Sequence, residues 1–179
     1  MGQGRVTLAA SLIAGLIFWQ GATAAPTTPP ISYGVDADTF HPVKEQHGMV
    51  ASVDALATQA GVDVLKRGGN AVDAAIAVGY ALAVTHPQAG NLGGGGFMLI
   101  RTASGHATAI DFREMAPIKA SRDMFLDAQG NADGKKSLTS HLASGVPGTV
   151  AGFALANKEY GTLPLAQLIA PAIRLAEKG

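Results

Sequence analysis

The chain has 179 residues, of which 47% are hydrophobic, and its 13 basic side chains are balanced by 13 acidic ones. This composition supports a buried core and argues against wholesale disorder, while the balanced charge and 6% aromatic content argue against a nucleic-acid-binding surface. The absence of cysteine excludes disulfides, thiolate nucleophiles, iron–sulfur clusters and cysteine-based zinc sites.

Residues 1–24 have the pattern of a secretory signal peptide. A positively charged start precedes an uncharged apolar run over residues 6–19, and "ATA" at 22–24 has the small-x-small form of a cleavage site. The run is shorter than the ~20 residues that span a bilayer. The sequence therefore predicts export through a cleaved signal peptide, with no membrane anchor left after cleavage.

Residues 25–48 are predicted to be an extended leader, because four prolines deny this segment a regular helix. Residues 49–179 follow the leader and are predicted to begin with two helices. The first runs from about Val53 to Arg67 and is ended by the glycines at 68–69. Its residues Leu56, Ala60, Val64 and Arg67 lie on one stripe, with Ala57 beside it.

A second helix is predicted from Ala71 to about Thr85, capped by Asn70 and ended by Pro87. Almost all residues of this helix are small and apolar, on every side of it, which indicates burial and close approach of neighbouring elements.

The segments "FMLIRT" and "ATAIDF" follow as two strands of a hairpin, with Ser104-Gly105 at its turn. The continuous apolar run of residues 97–100 predicts a strand that is covered on both faces.

Residues 113–147 are predicted to be irregular, with a short helix at 120–127. A helix over 148–160 closes at Gly161, and a last helix has Pro164 in its first turn and a break at Pro171. No closing strand precedes Gly179, so the sequence looks interrupted there. The order of elements predicts an α+β fold with helices layered over a largely antiparallel sheet.

Standard nucleotide and metal motifs are missing. "GNADGKKS" departs from a phosphate-binding loop, the glycines at 93–96 precede a strand instead of following one, and "DAQGNADG" lacks the glycine and glutamate of a calcium loop. No hydrolase elbow or zinc-protease motif occurs, and the five histidines, at 41, 47, 86, 106 and 141, lack ligand spacing. We expect surface or capping histidines, with no metal and no organic cofactor.

One charged cluster follows the second strand, where "AIDFREMAP" places Asp111, Arg113 and Glu114 together. One interpretation is a structural ion pair between Arg113 and a nearby acid. The other is that Arg113 receives a carboxylate, because a guanidinium presents a planar fork of donors that matches one. Spacing alone leaves both interpretations open.

The stretch from "ASVDALATQAGVDVLKRGGNAVDAAIAVGY" through "HPQAGNLGGGGFMLI", followed by "AIDFREMAP" and "SGVPGTVAGF", closely resembles the N-terminal region of the large subunit of bacterial γ-glutamyltranspeptidases. The resemblance covers residues 30–179. It implies an N-terminal-nucleophile hydrolase with a four-layer αββα sandwich, of which residues 49–179 would be the N-terminal part of the large-subunit domain, incomplete in this chain. It also implies export to the periplasm and a precursor that cuts itself into a large and a small subunit.

The resemblance further implies that a γ-glutamyl compound such as glutathione is the substrate. Arg113 would hold its α-carboxylate, Glu114 would orient the guanidinium, and Asp111 would be structural. The attacking threonine would be the first residue of the small subunit, so this chain would hold no catalytic residue. Thr139 and Thr149 are interpreted as loop and helix-start residues.

The glycines at 93–96 are interpreted as a backbone passage between a buried helix and a central strand. Side chains there would clash, or the torsion angles would be closed to other residues; a role in lining the glutamyl pocket is an alternative. Gly94→Val is expected to block folding or maturation. Two other functions stay open: a related cephalosporin or glutaryl acylase, and an inactive truncated chain that acts only as a structural module.

Overall fold

The computed structural model describes residues 44–178; the predicted signal peptide and most of the predicted leader lie outside them. The last described residues of the leader, 44–48, contain no helix or strand. None of the helices within this range is long and apolar enough to cross a bilayer. In chain order the elements are α1 (Ala55–Lys66), α2 (Ala71–Thr85), β1 (Phe97–Arg101), β2 (Ala107–Asp111), α3 (Gly134–Leu138), a 3₁₀ helix (His141–Ala143), α4 (Thr149–Tyr160) and α5 (Leu165–Lys178).

Helix α1 begins and ends with standard capping contacts. The Asp54 side chain accepts a hydrogen bond from the Ala57 N–H at 2.9 Å. At the other end, Gly68 has a φ of +87°, and the N–H of Gly69 donates to the Val64 carbonyl at 3.0 Å. This arrangement is a Schellman motif, in which a left-handed glycine satisfies the last carbonyls of the helix. The predicted glycine stop is confirmed.

The predicted stripe of α1 is only partly buried. Ala60 and Val64 are buried, but Leu56 is 56% exposed and Arg67 is exposed as well. The buried face is completed by Ala57 and Gly61. A Cβ on Gly61 would lie 2.7 Å from a methyl carbon of Val78 in α2. The two helices therefore approach through small residues, and Leu56 is turned away from this contact.

Helix α2 starts with a capping box. The Asn70 side chain accepts from the N–H groups of Val72 and Asp73 at 2.9 and 3.0 Å, and the Asp73 carboxylate accepts from the Asn70 N–H at 3.0 Å. More than half of its 15 residues are buried. The predicted cap, bounds and burial of this helix are confirmed.

The two strands form an antiparallel hairpin with Phe97 opposite Asp111 and Arg101 opposite Ala107, and Gly105 turns the chain with a φ of +88°. This hairpin is confirmed, but its coverage on both faces is not. Phe97 is 62% exposed and Leu99 is 84% exposed. The described residues provide packing partners for one face only, on which Met98, Ile100 and Ile110 contact the helical core.

The segment after the hairpin differs from the expected short helix at 120–127, which is replaced by turns. The Asp127 carboxylate accepts from the N–H groups of Gln129 and Asn131 at 2.9 and 2.8 Å, which stabilises a turn just after this stretch. The short helix begins later, at Gly134, because the Asp133 side chain caps it.

The last two helices follow their predictions except at Pro171. Helix α4 ends at Gly161 as expected. Helix α5 continues unbroken through Pro171, so the predicted break there is wrong. Pro171 is buried on one face of α5 together with Leu168 and Ala172, and α5 packs mainly against α2. Burial of this face stabilises the helix despite the backbone hydrogen bond that a proline cannot donate.

The core joins all the long elements. Its largest fully buried side chains include Val64 of α1, Ile76 of α2 and Leu168 of α5. Phe153 of α4 packs edge-on against Tyr80 of α2, with ring centres 5.2 Å apart. The described residues are thus an α+β arrangement with helices on one face of a two-stranded sheet.

Candidate substrate-binding site

Arg113 lies two residues after β2. The two residues before it, Asp111 and Phe112, make contacts that hold its backbone in place. The Phe112 N–H donates to the Gly96 carbonyl at 3.0 Å, which continues the hairpin pairing past the end of the strand. The Phe112 ring packs edge-on against Phe153, with ring centres 5.6 Å apart. The Arg113 N–H donates to the Asp111 carboxylate at 3.0 Å, so Asp111 has a structural contact here.

The downstream side is fixed by a second pairing. Met115 and Val146 form an isolated antiparallel bridge, with N–H to carbonyl distances of 3.2 and 2.8 Å in the two directions. The chain leaves this bridge at residue 116 and returns to it at residue 145. The bridge therefore closes a long loop directly beside Arg113.

Two glycines pack closely against the backbone of residues 112–114. A Cβ on Gly95 would lie 2.8 Å from the Arg113 Cα and 2.7 Å from the Glu114 nitrogen. A Cβ on Gly148 would lie 2.0 Å from the Phe112 carbonyl oxygen. Real Cβ atoms do not approach backbone this closely, so both positions need the absence of a side chain.

The interpretation of the glycine run as a tight backbone passage is confirmed at Gly95. Within the described residues, positive φ angles occur only at other glycines, so the alternative based on torsion angles is wrong for residues 93–96. The expected clash at Gly94 involves the Asn91 side chain, at 2.6 Å, and not backbone. A role of the run in lining a glutamyl pocket stays a prediction.

The side chains of Arg113 and Glu114 are both exposed. Within residues 44–178 the ion pair that forms is Arg122 with Asp123, at 3.8 Å, and the Arg113 guanidinium has no carboxylate partner. One interpretation of the sequence was an ion pair between Arg113 and a nearby acid. Within residues 44–178 this ion pair does not form. The role of Glu114 in orienting the guanidinium stays a prediction.

Arg113 borders an open cavity of about 730 Å³, which is lined by residues of the segments 113–125 and 142–145. Its charged lining consists of Arg113, Arg122 and one carboxylate, Glu114. The half-buried side chains of Met124 and Phe125 contribute apolar surface. Such a cavity suits a ligand with a carboxylate at one end, because the guanidinium offers two parallel donors.

Neither threonine singled out from the sequence is placed as a nucleophile. Thr149 is the first residue of α4 and is buried, and its hydroxyl donates to the Asn91 side chain at 2.5 Å. Thr139 follows α3, and its hydroxyl donates to the Lys135 carbonyl at 3.1 Å. The interpretation of both as helix-start and loop residues is confirmed.

The described histidines are dispersed. His47, His106 and His141 are exposed, and His86 is the C-cap of α2, where Nδ1 lies 2.8 Å from the Gln88 amide nitrogen. In the part of the chain that the structure describes, no three histidine or acidic side chains are grouped to hold a metal ion. His41 lies outside the described residues.

Sequence reasoning missed the partners that hold Arg113 in place. Gly148, Val146 and Thr149 are 33 or more residues downstream of it, and "SGVPGT" by itself indicates only a turn before a helix. Their pairing with the Arg113 segment is a tertiary contact without a local signal. The glycine at 148 beside a proline was the one available hint.

The α+β fold matches the N-terminal-nucleophile hydrolase class. The crystal structure of Helicobacter pylori γ-glutamyltranspeptidase superposes with a TM-score of 0.74 and 56% identity, over 77% of this chain and 40% of that one. A cephalosporin acylase from Bacillus halodurans superposes with a TM-score of 0.63 and 33% identity, over 83% of this chain and 28% of that one. The predicted fold class is confirmed.

The family follows from the sequence comparisons. The γ-glutamyltranspeptidase family model matches residues 57–179, more than half of the chain. The glutathione hydrolase proenzyme of Escherichia coli K12 is 71% identical over 175 residues, which is 98% of this chain and 30% of that protein. The chain belongs to the γ-glutamyltranspeptidase family, as its motifs indicated. It spans about a third of the length of this relative.

Proposed function

We propose that this chain is the part of a glutathione hydrolase precursor that binds the α-carboxylate of γ-glutamyl substrates through Arg113. The observation that carries the proposal is an exposed guanidinium, without a carboxylate partner in the described residues, on a backbone fixed from both sides. The 71% identity to a glutathione hydrolase proenzyme supports the activity and the substrate class.

In this mechanism Arg113 binds and orients, and another part of the precursor carries out the chemistry. Two parallel N–H donors hold the α-carboxylate, which fixes the γ-carbonyl of the substrate relative to the attacking group. That group is the N-terminal threonine of a small subunit cut from the same precursor. It forms an ester with the glutamyl group, releases the amine and passes the glutamyl group to water or to an amino acid or peptide.

Substitution of Arg113 in the full-length enzyme tests the proposal. A charged hydrogen bond contributes about 1.5–3 kcal/mol, so Arg113→Ala is expected to raise KM for γ-glutamyl-p-nitroanilide by about tenfold or more. The matched control is Arg101→Ala, because Arg101 is also exposed and ends the neighbouring strand. A wild-type KM in the Arg113→Ala enzyme would remove this residue from the site.

The acylase alternative has weaker support. The chain is 33% identical to the cephalosporin acylase, compared with 71% to the glutathione hydrolase proenzyme. A guanidinium suits a glutaryl as well as a glutamyl group, so the substrates must be compared directly. The full-length enzyme is expected to cleave γ-glutamyl-p-nitroanilide and to leave glutaryl-7-aminocephalosporanic acid intact; the reverse preference would favour the acylase.

Two further parts of the proposal concern processing and location. The pattern of residues 1–24 supports export to the periplasm through a cleaved signal peptide. N-terminal sequencing of the periplasmic protein is expected to start at residue 25 or 26. The chain by itself is expected to show no hydrolysis of γ-glutamyl-p-nitroanilide above background; activity of the chain alone would place a nucleophile within it.

A further inference from the structure

Two side chains outside residues 112–114, those of Asn91 and Thr149, form a hydrogen bond next to the Arg113 backbone. Asn91 precedes the glycine run, and Thr149 begins α4. The Thr149 hydroxyl donates to the Asn91 side-chain oxygen at 2.5 Å. The same oxygen accepts from the Gly94 N–H at 3.0 Å. Thr149 is only 3% exposed, so this contact is shielded from water.

Backbone contacts connect the pair to both sides of Arg113. The Gly94 carbonyl accepts from the N–H groups of Gly148 and Thr149, at 2.8 and 3.1 Å. Gly95 and Gly148 are the two residues whose missing side chains leave room for the backbone of residues 112–114. The contacts of Asn91 and Thr149, together with the hydrogen bond from the Gly148 N–H to the Gly94 carbonyl, therefore hold both glycines against this backbone.

From this geometry we propose that Thr149 and Asn91 are positioning residues for substrate binding, acting through Arg113. The proposal rests on the carboxylate-binding role proposed above for Arg113. Without the side-chain contact, only the backbone hydrogen bonds to the Gly94 carbonyl would join the glycine run to the start of α4. The Arg113 backbone would then be held less rigidly and its guanidinium would bind the α-carboxylate in a less favourable geometry, while the chemical step itself would be little affected.

Steady-state kinetics of the full-length enzyme provides the first test. Thr149→Val removes the hydroxyl but keeps the size, and we expect a KM increase of about three- to tenfold with kcat changed less than about twofold. Thr149→Ser keeps a hydroxyl and is expected to restore most of the affinity. Thr162→Val is the control for general destabilisation, because its hydroxyl contacts Asp73 instead. A wild-type KM in Thr149→Val would overturn the proposal.

A double-mutant cycle separates positioning from a general structural role. If Thr149 acts through the guanidinium, Thr149→Val adds nothing to the KM of an Arg113→Ala enzyme. The same fold-increase in both backgrounds would overturn the proposal and leave the role of Arg113 intact. A wild-type KM in Arg113→Ala alone would instead contradict the proposed function.

Asn91→Ala provides a second variant in case Thr149→Val does not mature. It removes the acceptor of both hydrogen bonds and is expected to raise KM in the same way. If neither variant matures while Thr162→Val does, the pair is required for folding and the positioning role is rejected.

Discussion

Gly95 lies so close to Arg113 that a Cβ on the glycine would be 2.8 Å from the arginine Cα. The contact joins a residue of the glycine run to the residue that we propose binds the substrate. Both belong to segments that flank the hairpin, and Gly148, the residue before α4, packs against the same backbone. The glycine run is thus part of the support of the site, and substitutions in it should differ sharply from one position to the next.

Gly95→Val is expected to prevent maturation of the full-length precursor. The new side chain would meet backbone atoms of residues 112–114, which cannot rotate away as a side chain can. Gly93→Val is the matched control, because a Cβ at Gly93 meets nothing within 4 Å. Subunit processing on a denaturing gel checks the prediction, and normal processing of Gly95→Val would contradict it.

Arg113→Lys is expected to recover little of the affinity lost in Arg113→Ala. Lysine keeps the positive charge but presents a point charge instead of a planar pair of donors. The KM for γ-glutamyl-p-nitroanilide should therefore lie closer to that of the alanine variant than to wild type. A wild-type KM in Arg113→Lys would mean that charge alone suffices and that the paired geometry is unnecessary.

Asp73 provides a prediction about stability and pH. Its carboxylate is fully buried and accepts from the Thr162 hydroxyl at 2.6 Å and from the Thr162 N–H at 3.1 Å. Burial acts to raise the pKa of Asp73, but hydrogen bonds from Thr162, Asn70 and Leu163 outweigh it and keep the pKa below its ordinary value of 3.8. Asp73→Asn is expected to cost about 1.5–3 kcal/mol at neutral pH.

The sign of the pH effect follows from the lowered pKa. The stabilisation from Asp73 is present in full above pH ~4 and is lost as the pH falls through the folded-state pKa, because the carboxylate is then protonated. The difference in Tm between the wild type and Asp73→Asn should therefore shrink on acidification below this pH. Thermal unfolding at neutral and acidic pH measures it; a constant difference would argue against the ionised form.

Lys136 is expected to protect the loop of residues 116–145 from proteolysis. Its ammonium group donates a hydrogen bond to the Leu126 carbonyl. This bond connects α3 to the turns that precede it. Lys136→Met removes this bond, whereas Lys135→Met, at an exposed neighbouring position, leaves it intact. Limited digestion with a protease that does not cut at lysine should cleave this loop faster in Lys136→Met. Equal rates in the two variants would show that the bond contributes little.

The sequence predicts the elements whose signals are local. Asn70 and Asp73 define the start of α2 through a capping box, and Gly68 ends α1 because it adopts a left-handed conformation. The hairpin follows from two apolar runs around Gly105. In each case the interacting residues lie within a few positions of one another, so the pattern is visible without knowledge of the tertiary fold.

Features that depend on distant packing were not predictable in the same way. Leu56 and Ala57 are adjacent apolar residues of α1, but only Ala57 is buried. The close contact with α2 leaves room for its small side chain and not for leucine. Pro171 is tolerated because its face of α5 is buried. The charged cluster after the second strand singles out Arg113, and the family resemblance favours carboxylate binding over an ion pair. The residues that contact its backbone, Gly95 and Gly148, lie far from it in sequence, so only the tertiary structure shows them.

The bridge between Met115 and Val146 has a consequence for how proteins with this architecture can diverge. Insertions or deletions between the two paired residues alter the length of an excursion whose two ends stay fixed. Evolution can therefore remodel the surface next to Arg113 without shifting the backbone that carries it.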